Sequence, residues 1–344
     1  MFEQRTVFIV GAGASREVRL PMGAELKGIL AEKLNIRYDD GSNLSGGDRN
    51  IAGAVQSIMR NAGERDANPY YGAGRSISAA MPQSISIDNY MHTHADDVLI
   101  SLMGKLGIAA SILEAEQHSI LAPHHESDDT IDFRSIDDSW HNTFCKMLTE
   151  NVPLADVGNI FANVSFVTFN YDRCIEHYVV QSLRNYFRLS RQDAEAVTKN
   201  LTIIHPYGQV GLLPWQVSGG VPYGARPHHT NLPDIAGQVR TFTERIDDDA
   251  IIKRMHRVIA EAEVVVYLGF SYGDMNMQLL TLDDAGERRI FGTSLGISAP
   301  NKKVVENDIL NSMGPDYSVV ESIELADLTC NDFLNAYWRP ILRG

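Results

Sequence analysis

Three short, nearly unbroken apolar runs, far apart in a chain of 344 residues, each stop at glycine or at a polar turn. Val7-Phe8-Ile9-Val10 runs into Gly11-Ala12-Gly13-Ala14-Ser15, Val164–Phe169 into Asn170-Tyr171-Asp172, and Val264–Leu268 into Gly269-Phe270-Ser271-Tyr272-Gly273-Asp274. β-Branched and aromatic runs of this kind suit strands covered on both faces, the situation in a parallel sheet between helices. Ligands of such sheets collect outside the carboxyl ends of the strands, so three exits of this type can meet around one nucleotide. The pattern predicts an α/β protein with a Rossmann-type, doubly wound, mainly parallel sheet.

Around these runs the periodicity predicts helices over Ala24–Leu34, Ile51–Asn61, Ser86–Gln117, Trp140–Thr149, Cys174–Tyr186, Asp249–Glu261 and Met275–Leu282. Further strands are predicted at Leu201–Ile204 and Arg289–Thr293, and a terminal strand-helix unit at Tyr317–Glu324 and Leu328–Leu342. About ten residues of loop separate the first strand from its helix, whereas a dehydrogenase fingerprint starts its helix inside the glycines, which disfavours a Rossmann oxidoreductase. Residues 38 to about 80, rich in Gly, Asn, Ser, Asp and Arg, are expected to be partly mobile, and Gln209–Asp234 is expected to form a long loop over a site. The expected organisation is residues 1–37 as the first half of the core, 38–155 as a mainly helical insertion, and 156–344 as the second half with the terminal unit.

A hydrophobic content of 44% allows a large core, and a net charge of −14 opposes a sequence-independent grip on nucleic acid, whose phosphates need cations. Cys145, Cys174 and Cys330 are scattered, which argues for a reducing compartment and against a zinc ribbon. The first residues lead directly into a strand, and no apolar stretch is read as approaching the roughly 20 residues of a membrane span. The expectation is a cytoplasmic protein without membrane contact. His92 and His94, His124-His125-Glu126 and His228-His229 are read as surface groups rather than metal ligands, and Asp247-Asp248-Asp249 as a favourable helix start.

Each exit has a plain reading beside a chemical one. Gly11-Ala12-Gly13-Ala14-Ser15 offers backbone N–H groups to a diphosphate, and serves a tight turn equally well. Asp172 suits a helix cap, whereas Asn170 at the strand exit faces the same crevice as the glycines. Gly269, Ser271 and Asp274 place a hydroxyl and an acid where ribose hydroxyls could be held, although Asp274 can also cap the following helix.

Taken in order, Gly11–Ser15 with its long connection to Leu20-Pro21-Met22-Gly23, Ser86-Ile87-Asp88-Asn89-Tyr90, Thr168–Asp172, a strand ending in His205-Pro206-Tyr207-Gly208, and Gly269-Phe270-Ser271 resemble the sirtuin-like domains of prokaryotic antiviral defence proteins, over about residues 5–300. The resemblance implies a domain that binds NAD and, as a hydrolase, cleaves its nicotinamide–ribose bond so that NAD is depleted during infection. It implies control by a homo-oligomer or by a separately encoded partner such as an ATPase or a nuclease. Carried over by motif, Gly11, Ala12, Gly13 and Ser15 line the diphosphate, Asn170 orients the nicotinamide ribose or the attacking water, Asp172 sits near the carboxamide, and Ser271 contacts the adenosine ribose.

The pattern departs from the family at the third exit, where members carry His directly before the glycine. Here Tyr207 stands there and His205 lies two residues earlier, so either could act; a phenol with a pKa near ~10 is a poor base at neutral pH. Protein deacetylases of the same superfamily carry a four-cysteine zinc module that three scattered cysteines cannot build, so no metal is expected. The alternative is a module that senses NAD or an ADP-ribose derivative without cleaving it: Tyr207 favours the sensor, Asn170 with Asp172 the enzyme.

Overall fold

The computed structural model describes residues 2–40, 43–123, 130–242, 244 and 249–343. Six strands form one parallel sheet: β1 (Thr6–Val10), β4 (Val164–Thr168), β5 (Thr202–Ile204), β6 (Val264–Leu268), β7 (Arg288–Thr293) and β8 (Val320–Ala326), ordered β5-β4-β1-β6-β7-β8. A separate antiparallel ribbon pairs β2 (Arg37–Asp39) with β3 (Asn43–Gly46). Numbered along the chain, the six-stranded order is 3-2-1-4-5-6, that of the doubly wound Rossmann fold. The α/β, Rossmann-type architecture follows from this order.

Alternation along the central strands sorts side chains onto two covered faces. Val7 and Ile9 of β1 join Val167, Val265 and Tyr267 in the core beneath α2 (Gly23–Lys33), α3 (Arg49–Ala62), α4 (Asn68–Ala80), α5 (Ile87–Thr93) and α6 (Val98–His118). Phe8 and Val10 join Phe166, Val266 and Leu268 on the opposite face, under α7 (Trp140–Thr149) and α8 (Cys174–Phe187). Phe8 lies in register with Phe166 and Val266; its ring stacks on Phe166 at 5.2 Å and meets Phe144 edge-on at 5.5 Å. Each such aromatic pair contributes roughly 0.5–1.5 kcal/mol beyond the area it buries. The three strand exits therefore stand on a tightly packed floor.

Several connections differ from the sequence reading. The expected ten-residue loop after β1 contains a helical turn, α1 (Ala12–Ser15), and a 3₁₀ turn at Arg16–Val18, so helical backbone does begin inside the glycines. Residues 38–80 hold β2, β3 and α4 besides α3; Gly74, which read as a loop signal, marks close helix packing, since a Cβ there would stand 2.9 Å from the Leu34 carbonyl oxygen. The helix expected over Ser86–Gln117 divides in two because Asp97 caps a new start, accepting the Leu99 and Ile100 N–H groups. Two amphipathic helices passed unread, α9 (Arg191–Thr198) and Ala299–Ser312.

The expectation about membrane spans is corrected by α6, whose 21 residues are long and apolar enough to cross a bilayer. In the fold it is a core helix packed against α2, α3, α4 and α5. His124-His125-Glu126 and Asp247-Asp248 lie outside the described residues. His92 packs on the Phe242 ring, while His94 bonds the Tyr90 carbonyl.

Glycine has opposite values at two positions. Gly28 lies exposed within α2, where an added methyl would meet nothing within 4 Å, whereas Gly269 has φ +55° and a Cβ there would stand 2.0 Å from the Ala14 nitrogen. Gly28→Ala is expected to stabilise by about 0.5–1 kcal/mol through helix propensity. Gly269→Ala should cost more than about 3 kcal/mol by forcing two backbones apart. Denaturant unfolding of both variants checks this; equal effects would contradict the close approach.

Candidate active site

The exits of β1 and β6 meet backbone to backbone. Gly11 N–H donates to Leu268 O at 3.0 Å and Gly13 N–H to Gly269 O at 2.9 Å. A Cβ on Gly11 or Gly13 would stand 2.7 or 2.8 Å from the Gly269 oxygen. These glycines are thus required for packing, and two N–H groups expected to face a diphosphate already serve protein carbonyls. Beside this junction Tyr272, a non-glycine residue, holds left-handed backbone at φ 53°; Arg19, at φ 68°, caps the end of the 3₁₀ turn Arg16–Val18. Such conformations cost of order 1–3 kcal/mol and gather at functional loops. Tyr272 is held by its hydroxyl, which donates to Thr293 O at 3.0 Å, leaving Ser271 exposed on the turn.

The exits of β1 and β4 are joined by side chains. Ser15 Oγ donates to Asp172 Oδ2 at 2.8 Å and accepts from Asn170 Nδ2 at 2.9 Å; the same amide donates to Gly11 O at 3.1 Å. Asp172 also accepts the Cys174 N–H at the first residue of α8, although Arg173 and not Asp172 stands at the cap position. All three side chains are buried, and Asn170 Oδ1 has no protein partner. An orphaned acceptor in such a place is costly unless a water or ligand fills it.

Five further hydrogen bonds close the ring at this end of the sheet. Tyr171 hydroxyl donates to Asp88 of α5, and Asn89 approaches Met275 Sδ at 3.9 Å. Tyr207 hydroxyl donates to Asn276 Oδ1 at 2.8 Å, its ring packed against Phe169 and Tyr171. His205 Nδ1 donates to the Asn170 backbone carbonyl at 3.1 Å and Nε2 to Glu176 Oε1 at 2.7 Å. With acceptors on both nitrogens the ring has no lone pair to offer, so the expected base role for His205 fails in this geometry. Burial lowers the imidazole pKa, but the Glu176 carboxylate, helped by the Asn170 backbone carbonyl, outweighs it and the pKa is raised. Asp274 opens the helix Asp274–Leu280 as its first residue, with Gly273 at the cap, so the capping alternative for Asp274 is not realised.

Sequence reading missed the strongest charge pair. Arg173 and Glu116 are wholly buried and joined through Nε to Oε1 at 3.0 Å and through a second contact between Nη2 and Oε2. The Arg173 guanidinium also donates to the carbonyls of Val221, at 2.6 Å, and Pro222, at 3.2 Å, pinning the loop after β5 to the Asn170–Asp172 turn. The available signal was Glu116 three residues beyond Leu113 on the apolar face of α6, where a carboxylate needs a buried cation. Glu176 went unread for the same reason.

Two cavities lie outside the junction. One, of about 680 Å³, opens between α2 and α6, with Arg16, Arg19 and Lys33 but also Glu25, Glu32 and Glu114 on its wall. The other, of about 540 Å³, lies between α8, α9 and the loop after β5. Neither is lined by Asn170, His205 or Ser271. Among the described residues no group of three or more potential metal ligands gathers, and all three cysteines are free and buried.

No family model and no curated protein matches the sequence. Among solved structures, one described as the crystal structure of a Sir2 homolog-NAD complex is similar at 11% identity with a TM-score of 0.39, over 98% of this chain and 90% of that one. At that level the likeness carries no argument, and the strand order stands as the ground for the fold.

Two outcomes follow from the charges. The folded pKa of His205 lies above its ordinary value of 6.5, so its stabilising pairing is complete below that pH and is lost as pH rises through the folded value. Melting temperatures from about pH 6 to 9 should fall more steeply for wild type than for Glu176→Gln; parallel curves would refute the pairing. Glu116→Gln leaves Arg173 uncompensated and should cost about 3–5 kcal/mol, with faster proteolysis between residues 209 and 226. A loss below about 1 kcal/mol would mean the pair contributes little.

Proposed function

We propose that the protein is a sirtuin-like NAD glycohydrolase acting at the junction of the β1, β4 and β6 exits. Its reaction takes NAD and water to nicotinamide, ADP-ribose and a proton. The observation that supports this most is the buried, unpartnered Asn170 Oδ1, set where Ser15, Asp172 and the Gly13–Gly269 contact meet. Departure of nicotinamide leaves positive charge on the ribose, and a fixed acceptor beside that carbon stabilises it or holds the water that traps it. The pyridinium leaves as a neutral ring, so little acid catalysis is needed. Asp172 supplies negative charge through Ser15, and Ser271 with Asp274 suits the outer ribose.

The residues fit a dinucleotide with one change from the motif reading. Since Gly11 and Gly13 spend their N–H groups on protein carbonyls, Arg16 and Arg19 on the wall of the cavity between α2 and α6 are the cations for the diphosphate. His205 acts as a positioning cation behind Asn170, and Tyr207 shapes the wall. In this reading the protein works in the cytoplasm in antiviral defence, silent until a homo-oligomer or a separately encoded ATPase or nuclease partner releases it.

The sensing module is the second reading, and the locking of His205 by Glu176 favours it, because this imidazole is not free to act as a base. Incubation with NAD, following nicotinamide release, separates the two. Wild type should release nicotinamide, alone or with its genomic neighbour, and Asn170→Ala should lower turnover by about 10²–10³-fold while costing only about 1–3 kcal/mol of stability. His205→Ala should weaken turnover through loss of position, and Tyr207→Phe should leave most of it. NAD binding without any release would establish the sensor instead.

A further inference from the structure

The loop after β5, whose composition suggested a cover over a site, lines a cavity away from the junction. Leu213 and Trp215 from this loop line the cavity of about 540 Å³ together with Gln181 of α8 and with Tyr223, whose ring lies against His177 of α8. That is the size of an ordinary small-molecule site, for which roughly 300–1,000 Å³ is usual. The wall is preformed: Tyr223 stacks on His177 at 4.1 Å and 4°, and Arg173 pins the loop backbone from behind.

The polar groups of this wall define what it can take. His177 Nε2 must donate to the Leu121 carbonyl, 3.0 Å away, so its Nδ1 carries the lone pair. Burial pushes the imidazole pKa down to about 3, which keeps that nitrogen an acceptor at neutral pH. Gln117 adds an amide suited to a heterocycle edge, Gln181, whose Oε1 accepts from Arg184 at 3.0 Å, keeps its amide N–H groups, and Trp215 adds an aromatic face. Arg226 stands exposed on the wall, and Arg191 is paired with Glu195 at 2.8 Å.

We infer that this cavity is a second ligand site, for a nucleotide whose planar base brings an exocyclic amino group to His177 and whose phosphate meets Arg226. The inference does not rest on the hydrolase reading. A bound nucleotide would tighten the loop that Arg173 fastens to the Asp172 turn, which places the cavity one ion pair away from the junction.

Titration of the full chain with AMP, read by calorimetry and by tryptophan fluorescence, tests it. AMP should saturate one site below roughly 1 mM, with a fluorescence change that Trp215→Phe removes. IMP, with a carbonyl in place of the amine, and adenosine, without phosphate, should each bind about ten-fold more weakly. Arg226→Ala, an exposed change that spares the fold, should weaken AMP about ten-fold and leave adenosine unaffected. His177→Phe, which keeps a ring against Tyr223, should level AMP with IMP; if it does not fold, the wild-type comparison decides the point. Absence of AMP saturation, equal affinity for AMP and IMP, or AMP binding that survives Arg226→Ala and vanishes in Ser271→Ala would overturn the site.

Discussion

Ser15 donates its hydroxyl proton to Asp172 and accepts from Asn170, and through these two bonds the exits of β1 and β4 become one surface. On the other side of β1 the contact is backbone only, with Gly13 N–H on the Gly269 carbonyl and no room for a Cβ. The two devices differ in what they tolerate. A hydroxyl bridge can re-form around water or a ligand, whereas a glycine-to-glycine contact admits no insertion. Chemistry at this end of the sheet is therefore expected on the Asn170 side, with the Gly269 side as a fixed rim.

Charge placement gives the same division. Arg173 with Glu116 and His205 with Glu176 both lie behind the Asn170–Asp172 turn, buried and engaged with backbone carbonyls. Buried pairs of this kind add little net stability, yet removing one partner is severe, so they fix geometry. Here they hold the turn from the rear, with the Asn170 side-chain carbonyl and, behind it, Glu176 Oε2 left without a protein partner.

The strands were legible because β1, β4 and β6 are apolar on both faces, a pattern few other structures produce. Their convergence was legible from the glycine and polar exits. Roles were less so. Gly11 and Gly13 read as an anion cradle, but sequence carries no record that the carbonyls of Leu268 and Gly269 would occupy their N–H groups from 256 residues or more away. His205 read as a candidate base, because its acceptor Glu176 lies on a helix whose register against β5 depends on tertiary packing. Gly74 and the other glycines before α5 read as loop, since glycine that serves close helix approach is indistinguishable in sequence from glycine that serves a turn.

The most direct measurement is a crystal structure of the protein soaked with NAD. The account predicts dinucleotide density that reaches Asn170 Oδ1 from the Ser271 turn, with Arg16 or Arg19 on the diphosphate. NAD lodged elsewhere, or a crevice in which Asn170 Oδ1 meets only protein or water at saturating NAD, would contradict it.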